Sequence, residues 1–151
     1  VSDASDGTKI FVSNCSVSEN ISDLVIHHYE GSWSHSAILR TEQIKVGEEK
    51  SKATTLNRII KQVRTDFPTR KLILKIDCEG FEEKILLAAS VDSLAEFSEA
   101  FVEFHGFMEL DIHKIISHLE DAGWCLHRGS YNPKLNNHSL AHFKCIQKPK
   151  E

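Results

Sequence analysis

The stretch Lys71-Leu72-Ile73-Leu74-Lys75-Ile76-Asp77-Cys78-Glu79-Gly80-Phe81-Glu82-Glu83 constrains the fold more than any other part of the chain. A leucine and isoleucine run that begins just after Pro68 breaks off at two carboxylates, Asp77 and Glu79, and a glycine, before helical spacing resumes at Phe81. This is how a buried parallel strand hands its chain to a helix. In open α/β sheets ligands sit beyond the carboxyl ends of the strands, so Asp77 and Glu79 fall where chemistry is usually done.

Helical and strand periods alternate on either side. Upstream, Thr55 to Val63 has apolar residues at helical spacing, with Thr55 placed to cap the helix and Phe67-Pro68 to stop it. Downstream, a helix from about Phe81 turns Phe81, Ile85, Leu86 and Ala89 inward. A short segment around Leu94 then delivers a second buried strand, Ala100 to Gly106, again ending in polar groups and a glycine. Asp111 caps a helix whose Ile112, Ile115, Ile116 and Leu119 share a face and which Gly123 ends. Trp124 to Arg128 and Leu140 to Gln147 read as strands, joined by a loop containing Asn132-Pro133 that permits antiparallel pairing. At the front, Lys9 to Ser13 and Leu24 to Tyr29 read as strands. Ser32 to Ser36 reads as a loop around Trp33, either anchored by the indole or contacting substrate.

This order predicts a doubly wound α/β sheet, mostly parallel, with helices on both faces and an antiparallel last strand, in a single domain over 1-151. The strand ending at Asp77 is expected parallel and adjacent to the one ending at His105, with the last strand antiparallel beside the latter. Alternation puts Lys75 and Asp77 on one face, and a lysine in an apolar strand predicts a buried pairing with Asp77 or Glu103.

Composition excludes some functions. A formal charge of -4, with no basic run longer than the tail Lys148-Pro149-Lys150, argues against nucleic acid as a partner. No apolar window approaches the roughly 20 residues that span a bilayer, and the first residues lack the makings of a signal peptide. Val1 in place of methionine reads as a processed or trimmed start, and the compartment stays open. Cys15, Cys78, Cys125 and Cys145 have no zinc-type or redox spacing. His138 and His142 are four apart, but Ser139 to Ile146 alternates like a strand, so His138 reads as loop, His142 as sheet face, and no metal ligand is assigned. The sequons at Asn14, Asn20 and Asn137 decide nothing in a serine-rich chain.

Leu74-Lys75-Ile76-Asp77-Cys78-Glu79-Gly80-Phe81-Glu82, followed by Val102-Glu103-Phe104-His105, resembles the paired signatures of FkbM-type S-adenosylmethionine-dependent methyltransferases. Asn14-Cys15-Ser16-Val17-Ser18, Gly31-Ser32-Trp33-Ser34 with Ser36 beyond it, and Ala53-Thr54-Thr55-Leu56 extend the likeness over nearly the whole chain. The resemblance implies a Rossmann-like methyltransferase sheet and methyl transfer to a substrate oxygen, commonly on a sugar or glycosylated small molecule. It also implies Asn14, Cys15 and Asp77 as cofactor contacts, the first two on the adenine side. The family's opening strand with its glycine-rich turn, and the acidic strand end that follows, have no counterpart here, since Gly7 is the only glycine before Gly31. The chain thus reads as the C-terminal portion of such an enzyme, with the N-terminal cofactor-binding strands missing. The alternative is a degenerate, non-catalytic relative serving as an interaction or regulatory module. Another nucleotide-binding α/β class would need a phosphate loop, which the sequence lacks.

Within the enzyme reading, Asp77 positions the donor or the acceptor hydroxyl, and Glu79 or His105 accepts its proton. The bland counterpart makes Glu79 a helix-dipole partner and His105 a hydrogen-bonded core residue. The missing strands predict an open sheet edge, hence self-association, and feeble cofactor binding.

Overall fold

The computed structural model describes residues 2–3, 9–10, 13–31, 36–37, 40, 43–105, 111–129 and 139–146. Trp33, Gly106, Asn132-Pro133, His138 and the basic tail lie outside them. The chain opens with a small antiparallel ribbon of β1 (Ser2–Asp3) and β2 (Lys9–Ile10). β3 (Ser16–Val17), β4 (Asp23–Tyr29) and β5 (Lys45–Thr54) follow as a three-stranded sheet, with β5 central, parallel to β3 and antiparallel to β4.

Helix α1 (Leu56–Asp66) starts at the expected cap, where the Thr55 side chain accepts from the Arg58 N–H, and ends at Phe67. It leads into β6 (Leu72–Ile76), followed by α2 (Glu82–Ala88), the short α3 (Val91–Leu94) and β7 (Phe97–Phe104). Asp111 caps α4 (Ile112–Asp121) through its bond from the Lys114 N–H. Gly123, at φ 81°, turns the chain out of that helix, as the left-handed region favours glycine. β8 (Trp124–Gly129) and β9 (Ser139–Cys145) complete a four-stranded sheet in the order β6-β7-β9-β8. β6 and β7 run parallel, and β9 lies antiparallel between β7 and β8, as the sequence predicts for the last strand.

The fold is α/β, but it differs from a mostly parallel, doubly wound sheet. Apart from the β1–β2 ribbon, the described strands divide into two mixed sheets, in which only β3–β5 and β6–β7 are parallel neighbours. The first sheet exists because β5, charged at half of its ten positions, pairs residue by residue with β4 from Asp23↔Lys52 to His28↔Gly47. Among the described residues, all the helices contribute to one core against one face of the larger sheet. Ile60, Leu86, Leu94 and Ile115 meet Ile76, Ala100, Val102, Phe104 and Phe143 there. Each buried leucine, isoleucine, valine or phenylalanine among them contributes roughly 1.5–3 kcal/mol by leaving water. The opposite face carries exposed Ile73, Phe101 and Leu140.

Lys75 belongs to that outer face. It pairs with Asp77 at 2.9 Å, the partner expected, but its side chain is 69% exposed, so the expected burial is corrected. Strand alternation sends Leu74 and Ile76 to the helices and Lys75 to solvent.

Candidate functional site

The carboxyl ends of β6 and β7 stand side by side, because the α2–α3 crossover returns the chain parallel to its starting strand. β6 ends at Ile76 and β7 at Phe104, so the next residues, Asp77 and His105, emerge together. Between them and α2 the chain makes a tight turn in which Glu79 (φ 53°) and Gly80 (φ 100°) both occupy left-handed backbone. A left-handed glutamate is uncommon and is held by its surroundings. The buried Ser36 hydroxyl donates to the Glu79 carbonyl at 2.9 Å, and Arg40 pairs with the Glu79 carboxylate at 2.9 Å. Arg40 is itself fixed by its N–H, which donates to the hydroxyl of buried Tyr29 at 2.7 Å.

Glu82 organises the interior of this turn. With no solvent exposure, its Oε1 accepts from the Cys78 N–H at 3.0 Å and the Gly80 N–H at 3.1 Å and lies 2.8 Å from His105 Nδ1. Its Oε2 has no hydrogen-bond partner among the described residues. His105, 1% exposed, turns its other nitrogen toward Asp77 Oδ1 at 3.8 Å and Glu79 Oε2 at 3.7 Å. The ligand atoms of Asp77, Glu79 and His105 all lie within 4.8 Å of one another.

Electrostatics reinforce the pair. Burial raises the Glu82 carboxyl, yet hydrogen bonds from His105, the Gly80 N–H, its own N–H and the Cys78 N–H hold it below the ordinary 4.5. Burial likewise disfavours an imidazolium at His105. The hydrogen bond and charge of Glu82, helped by Glu79 and Glu103, outweigh it and lift the group above 6.5. Burial first, then the Glu82 charge, pushes the Cys78 thiol up to about 11, so Cys78 is no nucleophile at neutral pH.

The structure therefore brings together Asp77, Glu79 and His105. Asn14 and Cys15 lie ahead of β3, with Cys15 Sγ 3.3 Å from Ser13 Oγ, and no described hydrogen bond or ion pair links either to the site. Glu79 faces Arg40 and His105, and the helix-side carboxylate role falls to Glu82. No function was assigned from sequence to Glu82, although its spacing from Ile85, Leu86 and Ala89 puts it in the apolar stripe of α2, the signal of a buried carboxylate. Arg40 carried no such signal. No family model, curated protein or solved structure matches this chain.

Proposed function

We propose that this chain carries the reaction corner of an S-adenosylmethionine-dependent O-methyltransferase of the FkbM type, acting on a hydroxyl of a sugar or glycosylated small molecule. In this reading the larger sheet, with its parallel β6–β7 pair and antiparallel last strand, is part of a Rossmann-like methyltransferase sheet. The observation that carries it is the meeting of Asp77, Glu79 and His105 at two adjacent parallel strand ends, with His105 aimed by a buried carboxylate.

The donor, when bound, supplies an electrophilic methyl group on a sulfonium. The residues fit the transfer end of such a site. Asp77, part-exposed and anchored by Lys75 on one oxygen, presents the other toward His105, where it can hold an acceptor hydroxyl. As the methyl group moved to the acceptor oxygen, the hydroxyl proton would pass to His105 Nε2 or to Glu79. Glu82 orients the ring and stabilises its charged form. The N–H groups of Cys78 and Gly80 serve Glu82. They are therefore not donors for the cofactor's methionine end, and the sequence has no Gly-x-Gly turn for that purpose. The engagement of those two N–H groups favours the second reading, a non-catalytic interaction or regulatory module.

Incubating the natural protein with labelled donor and a panel of glycosides separates the two. The enzyme reading expects methyl ether formation that Asp77→Ala lowers by about a hundredfold or more with the fold intact. This 151-residue chain by itself should hold the donor no tighter than roughly millimolar, about 4 kcal/mol. Absence of donor binding by the natural protein would favour the module.

A further inference from the structure

We propose that Asp77, Glu79 and His105 bind a divalent first-row transition cation, manganese to zinc, with Glu82 as the residue that orients the histidine ligand. The site stands on geometry alone; its use in catalysis rests on the methyl-transfer reading.

His105 provides the first argument. An ionised carboxylate accepts only, so Glu82 Oε1 at 2.8 Å puts the ring proton on Nδ1 and leaves the Nε2 lone pair facing Asp77 and Glu79. A histidine whose far nitrogen is tied to a carboxylate while the near one faces further ligand atoms is the usual outer arrangement of a protein metal site. Here the supporting carboxylate is completely buried, and its other oxygen has no described partner.

The distances provide the second. Separations of 3.7 and 3.8 Å from Nε2 to the two carboxylates are too long for hydrogen bonds. They suit ligand atoms that share an ion, since two atoms each about 2.0–2.2 Å from a metal stand about 3 to 4 Å apart. The 4.8 Å limit on the three atoms leaves a small gap, which rotation of the part-exposed Asp77 and Glu79 closes.

Charge provides the third. Among the described residues, the carboxylates of Asp77, Glu79 and Glu82 outnumber the cations that pair with them, Lys75 and Arg40. Lys75 pairs with Asp77 Oδ2 and Oδ1 is the oxygen that faces His105, while Arg40 shares Glu79 Oε2, which has lone pairs for two partners. One imidazole and two carboxylates select first-row transition ions over calcium or magnesium, which prefer all-oxygen shells. Three protein ligands leave positions open, and an acceptor hydroxyl entering one is acidified. Its proton would then go to the second carboxylate oxygen of Glu79, because His105 Nε2 and Glu79 Oε2 would be engaged.

Cobalt(II) alone is the probe, titrated into the full chain by calorimetry and visible absorption. The expected result is one ion per chain with a dissociation constant at or below about 10 μM. Asp77→Asn, Glu79→Gln and Glu82→Gln should each weaken it about tenfold or more with unchanged circular dichroism, and His142→Asn should leave it unchanged. Manganese(II) broadening of the His105 ring resonances in the unsubstituted protein provides a readout that needs no variant. No saturable binding at millimolar cobalt, or binding removed by His142→Asn and kept by Asp77→Asn, overturns the proposal. The methyl-transfer reading is judged separately: transfer that persists in chelator removes the catalytic role, and cobalt binding without transfer leaves the site standing.

Discussion

His105 Nδ1 and Glu82 Oε1 stand 2.8 Å apart, with almost no solvent reaching either side chain. Breaking such a pair from one side leaves a buried polar group without its partner, so Glu82→Ala should cost about 3–5 kcal/mol in chemical denaturation. The pair also sets a pH dependence. Glu82 is lowered from 4.5, so its contribution is present above that value and is lost as pH falls through the folded value. His105 is raised from 6.5, so its contribution is complete below that value and fades as pH rises through the folded value. Unfolding titrations from pH 3 to 9 should place the joint maximum between these two reference values. Glu82→Gln should flatten both flanks, and an unchanged profile in that variant would remove the pair as the cause.

Lys75 gives the opposite expectation. Its ion pair with Asp77 lies on the open face of the sheet, where salt screens it and water solvates both partners. Lys75→Met should leave the denaturation midpoint within experimental error. A clear drop in midpoint at moderate salt would show that Lys75 is covered in solution by something beyond the described contacts.

Gly80 is buried at φ 100°, between the left-handed Glu79 and the first turn of α2, with its N–H on Glu82. A side chain there is strained, so Gly80→Ala should destabilise by about 1–3 kcal/mol and shift the His105 ring resonances as the turn deforms. A variant with wild-type stability and spectrum would show that the turn does not hold the pair in register.

The legible parts of the fold are those set by local pattern. Thr55 and Asp111 cap where helix-start chemistry puts them, and the apolar spacing of Phe81, Ile85, Leu86 and Ala89 fixes the inner face of α2. β6, β7 and the antiparallel β9 follow from strand runs and connection lengths. β5 was not legible, since Lys45, Glu48, Glu49, Lys50 and Lys52 have the look of a solvated loop until β4 supplies the pairing. Asp77, Glu79 and His105 were legible as polar residues ending apolar strands. Arg40 was not, because it reaches Glu79 across a separation of 39 residues, which no local period encodes.

The outer face of the larger sheet sets the last expectation. Ile73 is 56% exposed, Phe101 43% and Leu140 62%, on a face that no described helix covers. β6 is also an edge strand, hydrogen-bonded only to β7 among the described residues, so it offers unpaired backbone beside exposed apolar side chains. Such an edge templates pairing with another chain unless a charge interrupts it. Lys75 supplies one cation on β6, but the Asp77 carboxylate beside it neutralises much of its effect. The chain should therefore self-associate as its concentration rises, with sedimentation velocity showing a growing dimer fraction. Ile73→Lys adds a second, unpaired cation to the edge and should return the protein to monomer without lowering its stability, because Ile73 contributes little to the core. A monomer at all concentrations, or a dimer indifferent to Ile73→Lys, would place any association elsewhere.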